Sequence, residues 1–226
     1  SRLAKIALDS ENQTVSLMDL RHDWLLRQIR EYRPYNEQEE RDKEIILSML
    51  TEAERMGEDI FSRENRMAHM TASAWVVNRD RTKVLLAYHN IYNSWAWLGG
   101  HADGERNLLS VAVREVCEES GLTPAHVRPA WLISQKGDLS QGSAGDIFSL
   151  EVLAVGGHFK KGEYISSHLH LNVTYLLESD EEETLYKKED ENSSVKWFLP
   201  EEALAASSEL WFAEHIYRKL NEKAGL

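Results

Sequence analysis

Residues 99–122, GGHADGERNLLSVAVREVCEESGL, constrain the fold more than any other part of this chain. The preceding segment 94–98, SWAWL, alternates as a strand does and runs into Gly99-Gly100. A helix of about 15 residues follows, ending at Gly121, where a left-handed helix end favours glycine. Glu115, Glu118 and Glu119 stand at i, i+3 and i+4 of that helix, so their side chains gather on one side. Leu109, Ala112, Val113 and Val116 form an adjoining apolar stripe that needs a sheet to cover it. Neighbouring carboxylates repel, and a hard divalent cation such as Mg²⁺ or Mn²⁺ removes that penalty while keeping positions for water and phosphate oxygens. The sequence therefore asks for a strand, a glycine turn and a helix with one face buried and one acidic face turned to a cleft.

These residues resemble the Nudix box, in which a glycine is followed by five residues, Glu, seven residues and then Arg-Glu-apolar-any-Glu-Glu-any-Gly-apolar. Arg114 to Leu122 meet the second half in full. The first half departs by one position. Counted from Gly100, Arg114 is in place and Glu105 is one residue early; counted from Gly99, Glu105 fits and Arg114 is one residue late. The resemblance implies an α+β fold, a Nudix-like mixed β-sheet sandwiched between helices. It also implies a metal-dependent pyrophosphatase, a hydrolase cleaving the diphosphate linkage of a small nucleotide or nucleoside-diphosphate-linked substrate. Glu118 and Glu119 would be metal ligands, and Glu115 a further ligand or the base that activates water. A carbonyl of Gly99 or Gly100 would reach the metal. Arg114 would orient the acids, partly by pairing with Glu105, and the spacing shift bears directly on that pairing. The alternatives are a non-catalytic nucleotide-binding sensor or interaction module on the same fold, or a charged surface helix. An isopentenyl diphosphate isomerase needs a catalytic cysteine outside this helix, and the single cysteine, Cys117, lies within it.

The rest of the chain frames that segment. Residues 14–57 read as helical with a break at Arg33-Pro34, since proline disfavours helix at its predecessor. We take 1–66 as a helical N-terminal extension that packs on the main domain, caps a cleft or forms a homodimer, and 67–226 as that domain. Strands are predicted at 70–78, 83–88, 128–134, 146–155, 164–177 and 195–199, with helices from Pro200 and over 208–221, where Leu210, Trp211, Ile216 and Leu220 make the apolar side. Stretches 135–145 and 156–163 read as loops near the cleft, and the acidic run Asp180–Glu183 as a solvated one.

Several further residues are candidates for the site. Over 168–175 the side chains alternate, so His168, His170, Asn172 and Thr174 share a face; His168 and His170 are candidate pocket residues. A zinc site from those two histidines alone is disfavoured beside a hard-oxygen site. Glu189 and Glu191 are candidate additional acids from the loop before the last strand. Trp95 and Trp97 are expected in the core, as is Cys117, and His101 is placed to approach a phosphate. The net charge of -12 makes nucleic acid an unfavourable partner. One cysteine excludes an internal disulfide, and no apolar run suits a signal peptide or a membrane span, so a cytoplasmic protein is expected.

Overall fold

The structure, a computed structural model, describes residues 24–130, 144–188 and 192–226. Helix α1 covers 24–31 and α2 Glu37–Met56, separated around Pro34 as the sequence requires. Asn36 caps α2 by accepting the Glu39 N–H at 3.0 Å, and Gly57 ends it at φ 69°. Both helices bury one side, with Leu25, Ile29, Ile46 and Leu50 in the same core as the sheet. The described helices of the extension pack on the main domain, one of the three roles open to it.

The sheet has eight strands: β1 (Ala68–Asn78), β2 (Val84–His89), β3 (Ser94–Ala96), β4 (Leu98–His101), β5 (Arg128–Pro129), β6 (Ser149–Val155), β9 (His168–Ser179) and β10 (Asn192–Phe198). Its centre is a parallel pair, β1 with β9, and the other pairings are antiparallel. Every residue of β1 is buried, because alternate side chains enter cores on both faces. Met70, Ala72 and Ala74 face α1, α2 and the box helix α3 (Leu108–Ser120). Trp75 and Val77 face the C-terminal helix, where Trp75 stacks on Tyr217 at 5.2 Å between ring centroids. This is the mixed sheet between helices that the sequence implied. The outer edge of β6 is closed by α2 side chains: Gln38 donates to the Leu150 carbonyl at 3.0 Å and Asp42 accepts the Val152 N–H at 2.9 Å.

Four features differ from expectation. The strand expected over 94–98 breaks at Trp97, because β3 pairs with β2 and β4 with β1. The loop expected at 156–163 contains a hairpin, β7 (His158–Lys160) with β8 (Glu163–Ile165), in which Phe159 and Tyr164 face each other. Ser166 and Ser167 then separate β8 from β9, which the sequence had joined. At the C-terminus α4 (Pro200–Ala206) precedes α5, built from Leu210–Phe212, a π turn over Ala213–Tyr217 and Arg218–Ala224. The π turn rotates the earlier residues off the buried face, leaving Leu210 76% and Trp211 53% exposed while Ile216 and Leu220 stay buried. The acidic run is partnered: Asp180 pairs with Arg79 at 3.2 Å and Glu181 with Lys83 at 2.6 Å. No helix among the described residues is long and apolar enough to cross a membrane.

Candidate active site

Strand β4 and helix α3 are held together through the glycine pair. The Gly99 N–H donates to Glu119 Oε1 at 3.0 Å, and Arg114 donates to the His101 carbonyl at 3.1 Å. A Cβ on Gly100 would lie 2.5 Å from the Glu115 carboxyl, so the absence of a side chain is what lets that carboxylate rest against β4. A Cβ on Gly99 would instead meet the Ala72 carbonyl at 2.5 Å, which is backbone and cannot turn away. Gly99→Ala is accordingly expected to cost on the order of 1–3 kcal/mol of stability. Gly100→Ala should keep its melting temperature but lose on the order of tenfold or more in turnover; thermal melts beside initial rates distinguish the two.

The three box glutamates sit in unlike surroundings. Successive helical residues turn by roughly 100°, so Glu118 and Glu119 fall on either side of Glu115. Glu119 is 1% exposed and faces inward, with His89 Nε2 at 3.4 Å from its Oε2. Glu118 faces outward to Lys188 at 3.2 Å and Arg114 at 3.9 Å. Glu115 lies between them and accepts from Arg114 at 3.0 Å. Burial pushes the Glu115 carboxyl up, and Arg114 pulls it part of the way back. Among the described residues, the three do not form a group with ligand atoms within 4.8 Å of one another.

The expected Arg114–Glu105 pairing is not made. Arg114 spends its donors on Glu115 and the His101 carbonyl, while Glu105, one residue off the family spacing, accepts the Asn107 N–H at 2.7 Å where α3 begins. Glu189 and Glu191 lie outside the described residues. Trp95 and Trp97 both pack in the second core, against Phe198 and Tyr217 respectively, and Cys117 is half-buried beside the first.

On the sheet face opposite α3 the polar stripe of β9 divides in two. Asn172 and Thr174 are buried: Asn172 Oδ1 accepts from Thr71 at 2.8 Å and Ser73 at 3.0 Å, and Thr174 donates to Glu151 at 2.7 Å. His168 and His170 instead line a cavity of about 300 Å³ with Arg63, Arg66, His101 and Lys160. A third wall comes from His69, which the parallel register sets opposite His170. Sequence reasoning missed His69 because it began the strand at residue 70. Its position two before Thr71, with the same parity as Ser73 and Trp75, was the available signal. Burial, reinforced by Arg63 and His69 beside His101 and by the His101 and His69 rings beside His170, holds His101 at about 3 and His170 at about 2, so these two rings are neutral at neutral pH. A second cavity, about 460 Å³ between β6 and the start of α5, is walled by Leu153, Leu210, Trp211 and Phe212; among the described residues Glu209 is the only ionisable group lining it.

Comparison with known proteins agrees with the box. The family model described as NUDIX domain matches residues 67–220, more than half of the chain. The chain belongs to the NUDIX domain family, and its enzyme class is that of a Nudix-type diphosphate hydrolase. No curated protein matches it. Similar solved structures include an Ap4A hydrolase binary complex from C. elegans, at 16% identity over 69% of this chain and 94% of that one, TM-score 0.45. Another is a NUDIX-family hydrolase from Clostridium perfringens, at 23% identity over 71% and 97%, TM-score 0.43. A third is a MutT protein from Methanosarcina mazei Go1, at 16% identity over 70% and 96%, TM-score 0.47.

Proposed function

We propose that the chain cleaves the diphosphate linkage of a small nucleotide or nucleoside-diphosphate-linked substrate, using Mg²⁺ or Mn²⁺ held at the box. The observation that carries this reading is the junction at residues 100 and 101. Gly100 makes room for the Glu115 carboxylate, while the ring of His101, the next residue, lines the cationic cavity. The donor set of Glu115, Glu118, Glu119 and the Gly100 carbonyl is all oxygen, which fits a hard divalent cation. Such an ion screens phosphate charge and lowers the pKa of bound water.

The chain's own groups supply the rest. Glu115, its carboxyl raised by burial, accepts the proton of the attacking water as oxygen attacks one phosphorus; the bridging P–O bond breaks and two phosphate-bearing products leave. Arg114 fixes Glu115 and the His101 carbonyl in one geometry. Arg66 and Lys160 offer countercharge for the substrate, and His168 and His170 offer imidazole contacts. Glu105 shapes the entry to α3. With a net charge of -12 and one cysteine, the reading favours a small soluble substrate in a reducing cytoplasm rather than nucleic acid.

The test is a panel of nucleoside-diphosphate-linked compounds and nucleoside triphosphates incubated with the full chain and Mg²⁺ or Mn²⁺, with products resolved by mass. Cleavage at a phosphoanhydride that stops on adding EDTA is expected. Turnover indifferent to EDTA, or no cleavage of any compound, overturns the reading.

A further inference from the structure

We infer that His69, His168 and His170 form a second metal site, one for a borderline divalent transition ion such as Zn²⁺ or Co²⁺. It would be bound through imidazole nitrogens, with one coordination position open to the cavity. The inference does not depend on the reading of the box.

Among the described residues these three are the group whose ligand atoms all lie within 4.8 Å of one another. They reach that spacing by topology. His168 and His170 share a face of β9, and β1 runs parallel beside it with His69 in register with His170. His168 Nε2 and His170 Nε2 are 3.2 Å apart. Two nitrogens on one tetrahedral zinc, at about 2.0–2.1 Å each, are separated by about 3.3 Å, so the pair is already at ligand spacing.

The supporting contacts set which nitrogen is available. His69 Nδ1 is 3.0 Å from the Asn65 carbonyl and His168 Nδ1 is 2.8 Å from the Ser166 carbonyl. A carbonyl only accepts, so in each ring Nδ1 carries the proton and Nε2 presents its lone pair, the arrangement by which backbone carbonyls orient histidine ligands. His69 is 4% exposed, and its Nε2 has no hydrogen-bond partner among the described residues. A buried polar atom left unpaired costs on the order of 1–3 kcal/mol, a cost that a bound cation removes. His101 packs against the rings of His69 and His170, at 5.2 and 5.0 Å, but is not in the ligand group. That leaves three protein ligands and an open fourth position, the pattern of a site that takes water or an anion. Arg66 and Lys160 around the same cavity, beside one carboxylate, Glu163, suit an anionic fourth ligand; Arg63 is paired with Asp103 at 2.7 Å. Imidazole donors favour Zn²⁺ and Co²⁺ over Mg²⁺, so the two sites would take different ions.

The test uses the full chain, stripped with chelator and kept in excess Mg²⁺. Titration calorimetry with Zn²⁺ is expected to show one ion bound per chain, and Co²⁺ to give the visible absorption of a tetrahedral complex. His168→Ala should weaken Zn²⁺ on the order of 100-fold, the upper end of the cost of losing a partner that merely orients a ligand. Glu118→Gln should leave Zn²⁺ binding as it was. X-ray absorption of the wild-type zinc complex should show three imidazoles, and it decides the matter alone if the variant does not fold. Failure to bind Zn²⁺ at one equivalent, equal binding by a folded His168→Ala, or a zinc shell lacking imidazole overturns the site.

Discussion

Glu118→Gln is expected to lower Mg²⁺-dependent diphosphate cleavage by about 10³-fold while leaving the fold intact. The substitution keeps shape and removes one negative charge from the donor set. Its structural cost is small, because Glu118 is partly exposed and its contacts are ion pairs to Lys188 and Arg114. Such pairs contribute about 0–1 kcal/mol. Turnover at saturating substrate, measured beside circular dichroism and a thermal melt, separates the two effects. A folded variant with undiminished turnover would remove the box from the chemistry.

Glu39→Gln should do the reverse, destabilising the protein by about 3–5 kcal/mol. Glu39 is fully buried at the start of α2, with Lys223 at 2.9 Å and Lys219 at 3.2 Å; it also accepts from Ser149 at 2.7 Å and Tyr32 at 2.7 Å. Lys223 further donates to the Phe148 carbonyl. Removing the carboxylate takes the ion-pair partner from the buried Lys223 ammonium and leaves Lys219 with Glu151 at 3.3 Å, at the seam between α2, β6 and α5. The pH dependence follows the same group. Burial alone would raise the Glu39 carboxyl, but Lys223 and Lys219 outweigh it and hold it at about 2, below its ordinary 4.5. A depressed carboxyl contributes stability above pH 4.5, and that contribution falls away as pH drops towards 2, amounting to about 3 kcal/mol. Burial pushes Lys223 down, so the net worth of the network is less than the carboxyl's share. Denaturant melts from pH 6 to 2 should show a slope that Glu39→Gln flattens.

How far the sequence could be read depended on whether a feature was local. Leu109 to Gly121 carries its own helix, apolar stripe and glycine stop; the structure keeps the helix and the stop, and centres the buried stripe on Leu108, Val111, Ala112 and Val116 with Leu109 and Val113 at its margin. The parity of His168 and His170 was equally plain, since alternation is a property of one strand. What could not be read was set by distant partners. Glu39 sits in a run of acids, and nothing nearby distinguishes it from Glu37 or Glu40; its burial comes from β6 and α5. His69 joined the histidine cluster only through a strand pairing that the sequence does not specify. The rotated start of α5 came from a π turn, which leaves no mark in hydrophobic spacing. Glu105 differs again: its departure from the family spacing was visible, and the structure shows what it does instead.

The pairing of β1 with β9 also bears on how the molecule is made. β1 must wait, with its flank unzipped and apolar groups on both sides, while the ribosome threads out the long stretch ending in β9. Delayed zippering of this kind slows folding and leaves a sticky intermediate. Chaperone demand should therefore peak late in translation, and the imidazole trio can close only after that wait is over.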